Sequence, residues 1–220
     1  MVMAINSKLI FVRELLKWYG SNKRSFPWRY IDDSYRVWLA EALLQRTRAE
    51  LVEREYSKIL EKYPDIFILA KAPLADIKQI IWTLGLAHRA HYLKNAAQHV
   101  VEKLDGRFPE NIDQLKDIPG AGDYVANAIL LFSFNQRVPV VDGNVVRLLT
   151  RVFGIKSSKK RPHTDPVFRK FLTEIMPKKR YQDFMYAVLD FASIVCMKTP
   201  KCEGCPFTQI CSWFKYKKSF

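Results

Sequence analysis

Long apolar runs are missing from this 220-residue chain, which has no stretch of about 18 apolar residues that could form a transmembrane helix. A leader for export is not indicated either. The first twenty residues carry apolar side chains, but charged residues interrupt them at helical spacing, which is typical of an amphipathic helix. We therefore expect a soluble protein that does not enter a membrane and is located in the cytoplasm.

Strand-like patterns are almost absent. The short run RVPVV at 137–141 is too isolated to build a sheet, and no internal repeat is visible. With 49% hydrophobic residues the chain can form a core. Because strand-like patterns are almost absent, the predicted fold class is all-α. Helical periodicity, punctuated mostly by Pro and Gly, predicts helices at 7–19, 34–46, 50–62, 73–81, 89–104, 111–117, 123–134, 144–153, 165–176 and 180–195.

Acidic residues are too few to balance the basic ones. The chain has 36 Lys and Arg against 22 Asp and Glu, which gives a formal net charge of +14. A compact domain with this charge repels itself unless it binds a polyanion, and nucleic acid is the first candidate. The alternatives are an anionic lipid surface or a basic protein without such a partner. Candidates for phosphate contacts are Arg29, Arg36, Arg46, Arg48, Arg147 and Lys198.

Cysteine is missing from the first 195 residues and then occurs four times, at Cys196, Cys202, Cys205 and Cys211. Because nothing indicates export, disulfides are disfavoured. Four thiolates with a central C-x2-C are typical of a metal site. Tetrahedral zinc and an iron–sulfur cluster both accept four cysteines, and the spacing alone leaves both open.

The segment IPGAGDYVANAI at 118–129 joins two predicted helices through a turn that is rich in glycine. Gly120 and Gly122 allow positive φ angles and a close approach of the backbone to a ligand. The helix that follows presents free N–H groups and the positive end of its dipole, which favour an anion. We expect this turn to bind a phosphate of the DNA backbone, a contact that positions the duplex without reading its sequence.

Five collinear segments resemble a known family. The turn at 118–129 is similar to the helix–hairpin–helix of the DNA glycosylase superfamily that includes endonuclease III. FPWRYIDDSYRVWLAEALLQRT at 26–47 and IWTLGLAHRAHYL at 81–93 resemble its first helices. VPVVDGNVVRLLTRVFG at 138–154 resembles its loop with the catalytic aspartate, and LDFASIVCMKTPKCEGCPFTQIC at 189–211 resembles its cysteine loop.

The resemblance implies two helical lobes with a DNA-binding cleft between them. One is a six-helix domain at 30–135 that contains the helix–hairpin–helix at 111–134. The other joins 1–29 to 136–220 and carries the cysteine loop at 196–211. The resemblance also implies a [4Fe–4S] cluster rather than zinc. The chain departs from the family in having five residues rather than six between its first two cysteines.

Three residues are candidates for the chemistry of a glycosylase. Asp142 lies just before a predicted helix, where the dipole favours a carboxylate, and it is expected to stabilise the positive charge that develops on the sugar. Its alternative role is that of a plain N-cap. Glu41, at the edge of the buried stripe of its helix, is expected to have a raised pKa and to protonate the flipped base. Tyr124 stands where strand-nicking relatives carry a lysine, so a Schiff base cannot form and the enzyme is expected to be monofunctional.

Contacts inside the duplex are expected from two further segments. Gln45 and Arg46, at the end of the predicted helix 34–46, are expected to enter the gap that a flipped base leaves. Leu86 is a candidate wedge between base steps, with a packed loop leucine as its alternative role.

The substrate remains open between two related classes. The arginine in LQRT, the FPWR segment and Tyr124 resemble the thymine/uracil mismatch (MIG-type) glycosylases, whereas VDGN around Asp142 resembles the adenine (MutY-type) enzymes. We expect a monomer that removes thymine or uracil opposite guanine from double-stranded DNA in the nucleoid. A DNA-binding or redox-sensing protein without catalysis is the further alternative.

Overall fold

The computed structural model describes the backbone of residues 2–218 and the side chains of residues 6–216. This part of the chain contains no β-strand, so the expected all-α fold class is confirmed, and none of its helices is long and apolar enough to cross a membrane. Its α-helices are α1 Val2–Asn22, α2 Ser34–Leu44, α3 Ala49–Lys62, α4 Ile66–Lys71, α5 Leu74–Ile80, α6 Ala90–Lys103, α7 Ile112–Asp117, α8 Asp123–Phe132, α9 Gly143–Phe153, α10 Pro166–Ile175, α11 Tyr181–Ile194 and α12 Ser212–Lys218.

The chain divides into two compact units. One comprises Ser25–Gln136 with α2–α8 and is called the hairpin unit. The other is formed by the segments before and after it, contains α1 and α9–α12, and is called the cysteine unit. Short 3₁₀ turns lie at Trp82–Leu84 and Ala87–Arg89 in the hairpin unit and at Pro162–Thr164 in the cysteine unit.

The hairpin unit is organised around α8. Every residue from Val125 to Phe132 is buried, which is the pattern of a helix enclosed by others rather than one lying at a surface. Helix α2 packs against α8, and α4 packs against α6. Asp33 starts α2 as its N-cap, because its carboxylate accepts a hydrogen bond from the backbone N–H of Arg36 at 3.0 Å.

The cysteine unit is organised around α11, which packs against both α1 and α9. Helix α9 buries one stripe of side chains spaced three and four residues apart, as its sequence predicts: Val145, Leu148, Leu149 and Val152. Aromatic rings connect the elements of the core. The Phe11 ring lies 5.1 Å from that of Phe153 and 4.7 Å from that of Phe207, between ring centroids.

Two helices were not predicted from the sequence. Helix α4 has six residues, and its IFILA run has no polar positions from which a helical period could be read. Helix α12, of seven residues, follows the last cysteine directly.

The predicted helix at 34–46 ends earlier, at Leu44, because Gln45 is the C-cap and Arg46 adopts a positive φ of 63°.

A buried ion pair joins the two segments of the cysteine unit. Arg24 contacts Asp190 of α11, with 2.8 Å from Nε and 2.5 Å from Nη2 to the same Oδ1. The Asp190 side chain is fully buried, whereas that of Arg24 is 21% exposed. A buried carboxylate requires such a partner, because the ion pair offsets the cost of taking its charge out of water.

Replacing Arg24 with methionine should lower the free energy of unfolding by about 3–5 kcal/mol, because the Asp190 carboxylate stays buried without its guanidinium. The matched control is Lys8→Met. Lys8 pairs with Glu174 at 2.6 Å, but the Glu174 side chain is 60% exposed, so the loss should stay below about 1 kcal/mol. Urea unfolding followed by circular dichroism measures both variants, and equal small losses would contradict the expectation.

Candidate functional site

The segment between α7 and α8 is a tight turn with an uncapped helix behind it. The Ala121 N–H donates to the Ile118 carbonyl at 2.9 Å, and Gly120 has a φ of 80°, which favours glycine. The N-cap residue of α8 is Gly122, which has no side chain that could cap the helix. The first-turn N–H groups of α8 therefore receive no acceptor from a cap side chain, and this arrangement suits an external anion.

Of the two glycines that allow a positive φ in this turn, only Gly120 adopts one. Gly122 has φ −68° and ψ −176°, an extended conformation that any residue adopts. A Cβ added to Gly122 would meet no atom within 4 Å. Packing and backbone conformation therefore give no reason for glycine at 122, whereas a close approach of a ligand to the backbone does.

Glu41 and Tyr124 lie on the packed helices α2 and α8. Glu41 is only 5% exposed, more deeply buried than the edge position that the sequence predicted, because α2 also buries Val37 and Ala40. Tyr124 is half-buried in the first turn of α8. Both residues belong to the hairpin unit.

Asp142, in the cysteine unit, is the N-cap of α9. Its Oδ1 accepts the backbone N–H of Val145 at 2.7 Å, and its Oδ2 accepts the side-chain amide of Asn144 at 2.9 Å. The side chain is half-buried. The two hydrogen bonds fix the orientation of the carboxylate, and the dipole of α9 favours its negative charge.

Three of the predicted DNA contacts line one half-enclosed pocket of the hairpin unit, with a volume of about 180 Å³. Gln45, Leu86 and Gly120 belong to its wall, while Arg46 follows Gln45 and is exposed. Leu86 is 5% exposed, so the structure shows it packed rather than projecting. Its insertion between base steps stays a prediction, and it requires the side chain to leave this packing.

Arg89 and Tyr92 line the same pocket, although the sequence did not predict them as contact residues. Arg89 Nη1 donates to the Gln45 carbonyl at 2.8 Å and lies 3.5 Å from Gln45 Oε1. Tyr92 is 52% exposed, with the His91 ring 3.9 Å away between centroids. The one signal in the sequence was the basic and aromatic composition of AHRAHYL at 87–93.

The four cysteines line a single cavity of the cysteine unit together with Arg151, Phe207 and Trp213. Burial raises the pKa of the Cys205 thiol to about 11 and also raises that of Cys211, while backbone N–H donors oppose the shift. Among the described residues, no three His, Cys, Asp or Glu side chains converge closely enough to hold one metal ion.

Two arginines of α9 hold the loop that follows Cys196. Arg147 donates to the carbonyls of Cys196 at 2.9 Å and Ala192 at 2.8 Å. Arg151 donates to the carbonyls of Met197 at 2.5 Å and Lys198 at 2.9 Å. The Lys201 N–H donates to the Val195 carbonyl at 2.9 Å and closes the shortened loop. Arg147 therefore fixes the cysteine loop here, although the sequence suggested a phosphate contact.

Comparison with known proteins identifies the family. Residues 39–174 match the family model described as HhH-GPD superfamily base excision DNA repair protein. The chain belongs to this superfamily. A thymine/uracil-DNA glycosylase of Pyrobaculum aerophilum is 38% identical over 93% of this chain and 91% of its own length. An adenine DNA glycosylase of Buchnera aphidicola is 30% identical over 96% of this chain but only 60% of its own length.

A comparison with solved structures agrees with these matches. The structure of a thermostable thymine-DNA glycosylase superposes with a TM-score of 0.90 and 31% identity, covering 97% of this chain and 99% of that chain. The predicted membership of the helix–hairpin–helix glycosylases is therefore confirmed, and the chain is a base-excision DNA glycosylase.

If the turn before α8 binds phosphate, Gly122→Ala should weaken duplex DNA binding about tenfold, the loss expected for one hydrogen bond to a charged group. Its stability should fall by less than about 1 kcal/mol, since the added Cβ has open space. Gly20→Ala, also with open space but in α1, should leave DNA affinity unchanged. Fluorescence anisotropy with a labelled duplex measures all three proteins, and unchanged affinity of Gly122→Ala would remove the phosphate site.

Proposed function

We propose that this chain is a monofunctional DNA glycosylase that hydrolyses the N-glycosidic bond of thymine or uracil opposite guanine and leaves an abasic site. The observation that carries the proposal is the match to a thymine/uracil-DNA glycosylase along 93% of this chain and 91% of the relative. The adenine relative extends well beyond the region that it shares with this chain. We further propose that the enzyme acts as a monomer on double-stranded DNA in the nucleoid.

Asp142 is the proposed catalytic residue on the sugar side. As the N-glycosidic bond breaks, its electron pair leaves with the base and the sugar gains positive charge. An ionised carboxylate held in place stabilises that charge more than it stabilises the neutral substrate. Water then adds to the anomeric carbon and loses a proton. The N-cap hydrogen bonds of Asp142 support this role because they fix one orientation of the carboxylate.

Glu41 is the proposed acid for the departing base. A buried carboxyl group on a helix is suited to deliver a proton to a base that has left the stack, because water competes little for it there. Tyr124 offers a phenol, which forms no Schiff base. Lys116 is the nearest lysine to it in sequence, and its Nζ lies 3.1 Å from Asp123 in an exposed ion pair. These features support base removal by water without strand cleavage.

We also propose that the four cysteines hold a [4Fe–4S] cluster. All four cysteines line one cavity of the cysteine unit and so provide the four thiolate ligands that such a cluster requires. The resemblance of the segment 189–211 to the cysteine loop of the family favours the cluster over zinc. When bound, the cluster would supply thiolate–iron bonds that order the segment from Cys196 to Cys211, beside the loop carbonyls that Arg147 and Arg151 hold.

Protein purified without oxygen should contain about four iron and four sulfide ions per chain, as the cluster formula requires. Cys202→Ser should lose most of this iron, because one of the four thiolate ligands is removed. Elemental analysis and visible absorbance measure both proteins. One zinc per chain in place of iron would overturn the cluster proposal.

The base specificity is tested with duplexes that contain one T·G, U·G, A·G or A·8-oxoguanine pair. The T·G and U·G strands should break after alkali and stay intact without it, because an abasic site breaks only with base. Borohydride should trap no covalent complex. Breakage only at adenine would establish the adenine-glycosylase alternative, and release from no duplex would favour a binding or redox-sensing protein.

Asp142→Asn separates catalysis from folding in the same assay. Asparagine caps a helix as well as aspartate does, so stability should hold, while base release should fall at least about 10²-fold because the charge is lost. The matched control is Asp33→Asn, at the N-cap of α2, which should release the base at the wild-type rate. Undiminished release by Asp142→Asn would exclude the proposed role.

A further inference from the structure

The Arg89 side chain has more hydrogen-bond donors than its protein contacts use. A guanidinium carries five N–H groups. Its Nη1 donates to Gln45, and within the described part of the chain Nε and Nη2 make no hydrogen bond. Three donors are therefore available at a group that lines the pocket. Arg89 is half-buried.

The surroundings of Arg89 disfavour an isolated positive charge. Burial lowers the pKa of the guanidinium, and the positive charge of Arg46 lowers it further. A group in this state gains from an incoming acceptor that is partly negative. The hydrogen bond to the Gln45 carbonyl anchors one edge of the guanidinium plane, so the acceptor meets a fixed donor array rather than a flexible cation.

Most of the other residues that line the pocket are apolar, although Gln45 and Tyr92 also belong to its wall. The apolar part consists mainly of aliphatic and aromatic side chains: Trp38, Leu43, Ile81, Leu86, Leu93 and Val125. Mostly apolar walls with a few placed polar groups suit a flat, mostly apolar molecule with a polar edge. A phosphate is charged on all sides and would lose hydration against these walls. The volume of about 180 Å³ suits a single nucleobase.

We propose that this pocket binds the unpaired guanine opposite the target base, and that Arg89 is the specificity-determining residue that donates to its O6 and N7. The inference rests on the proposed function, because thymine and uracil opposite guanine are the mismatches assigned there. It adds a second recognition event, on the strand that is not cut. Gln45 and Gly120 lie at the same pocket, so the residues expected to meet the duplex also border this site.

The donor pattern selects guanine among the purines. Guanine offers two acceptors, O6 and N7, on one edge, whereas adenine offers N7 beside an N6 amino donor. Arginine has donors only and pairs with both guanine acceptors at once. Adenine would place its amino group against the Arg89 donors. The site therefore distinguishes a mismatch with guanine from a normal pair with adenine, which protects correct A·T pairs from attack.

Binding is tested with duplexes that need no base release. Each carries an abasic-site analogue opposite guanine, 7-deazaguanine or adenine. Wild-type protein should bind the guanine duplex about tenfold more tightly than the 7-deazaguanine duplex, which lacks one acceptor. It should bind the adenine duplex more weakly than either of them. Arg89→Met, which keeps the aliphatic stem, should bind all three equally. Arg54→Met removes an exposed arginine of α3 and should keep the wild-type order.

A kinetic assay makes the same comparison for the rate of base removal. Single-turnover rates on T·G and T·7-deazaguanine should differ in wild type and in Arg54→Met but coincide in Arg89→Met. Arg89→Lys, which has no bidentate fork, should lose most of the discrimination. Urea unfolding checks that each variant is folded.

Three outcomes would overturn the inference. One is wild-type binding that ignores 7-deazaguanine, and another is discrimination that persists in Arg89→Met. The third is an equal loss of affinity by Arg89→Met for all duplexes with a smaller salt slope, which would identify a phosphate contact instead. Absence of thymine or uracil release with the binding pattern intact would contradict the proposed function and leave the guanine pocket standing.

Discussion

The backbone amides at the start of an α-helix need acceptors, and α8 and α9 meet this need in opposite ways. Helix α9 supplies its own acceptor, because the Asp142 carboxylate accepts the Val145 N–H. Helix α8 has Gly122 as its N-cap and receives no acceptor from that residue's side chain. One helix start therefore fixes an internal anion, while the other suits an external one. The proposed catalysis and the proposed phosphate contact depend on this difference in a single side chain.

The proposed catalytic role of Asp142 and its observed role as a helix cap use the same carboxylate. A cap must be an acceptor, and a stabiliser of positive charge must be an ionised acceptor, so aspartate serves both purposes whereas serine or threonine would serve only the first. This explains why the sequence could not separate the two roles. The VDGN pattern indicates a helix start in either case, and only the superfamily membership gives the carboxylate a reaction to act on.

Local periodicity predicted much of the fold but little of the pocket. Helix α9 was expected at 144–153 and runs from Gly143 to Phe153, because its buried stripe repeats at helical spacing. Helix α4 was missed because an all-apolar run carries no period. Arg89 was missed for a different reason: its partner Gln45 is 44 residues away along the chain. Contacts of that kind follow from the tertiary packing of the hairpin unit and leave no local pattern in the sequence.

The backbone conformation that ends α2 also positions the Arg89 side chain, on which the proposed guanine recognition depends. Arg46 takes a left-handed φ of 63° without being glycine, a conformation that costs about 1–3 kcal/mol. The turn leaves the Gln45 carbonyl outside the helical ladder, where Arg89 Nη1 reaches it at 2.8 Å. That bond offsets part of the strain and also immobilises the guanidinium. Because the strained residue is itself a cation, its charge disfavours an empty pocket and favours one that holds an electron-rich base edge. The backbone that ends α2 thus orients the Arg89 donors on which the proposed recognition of the opposite guanine depends.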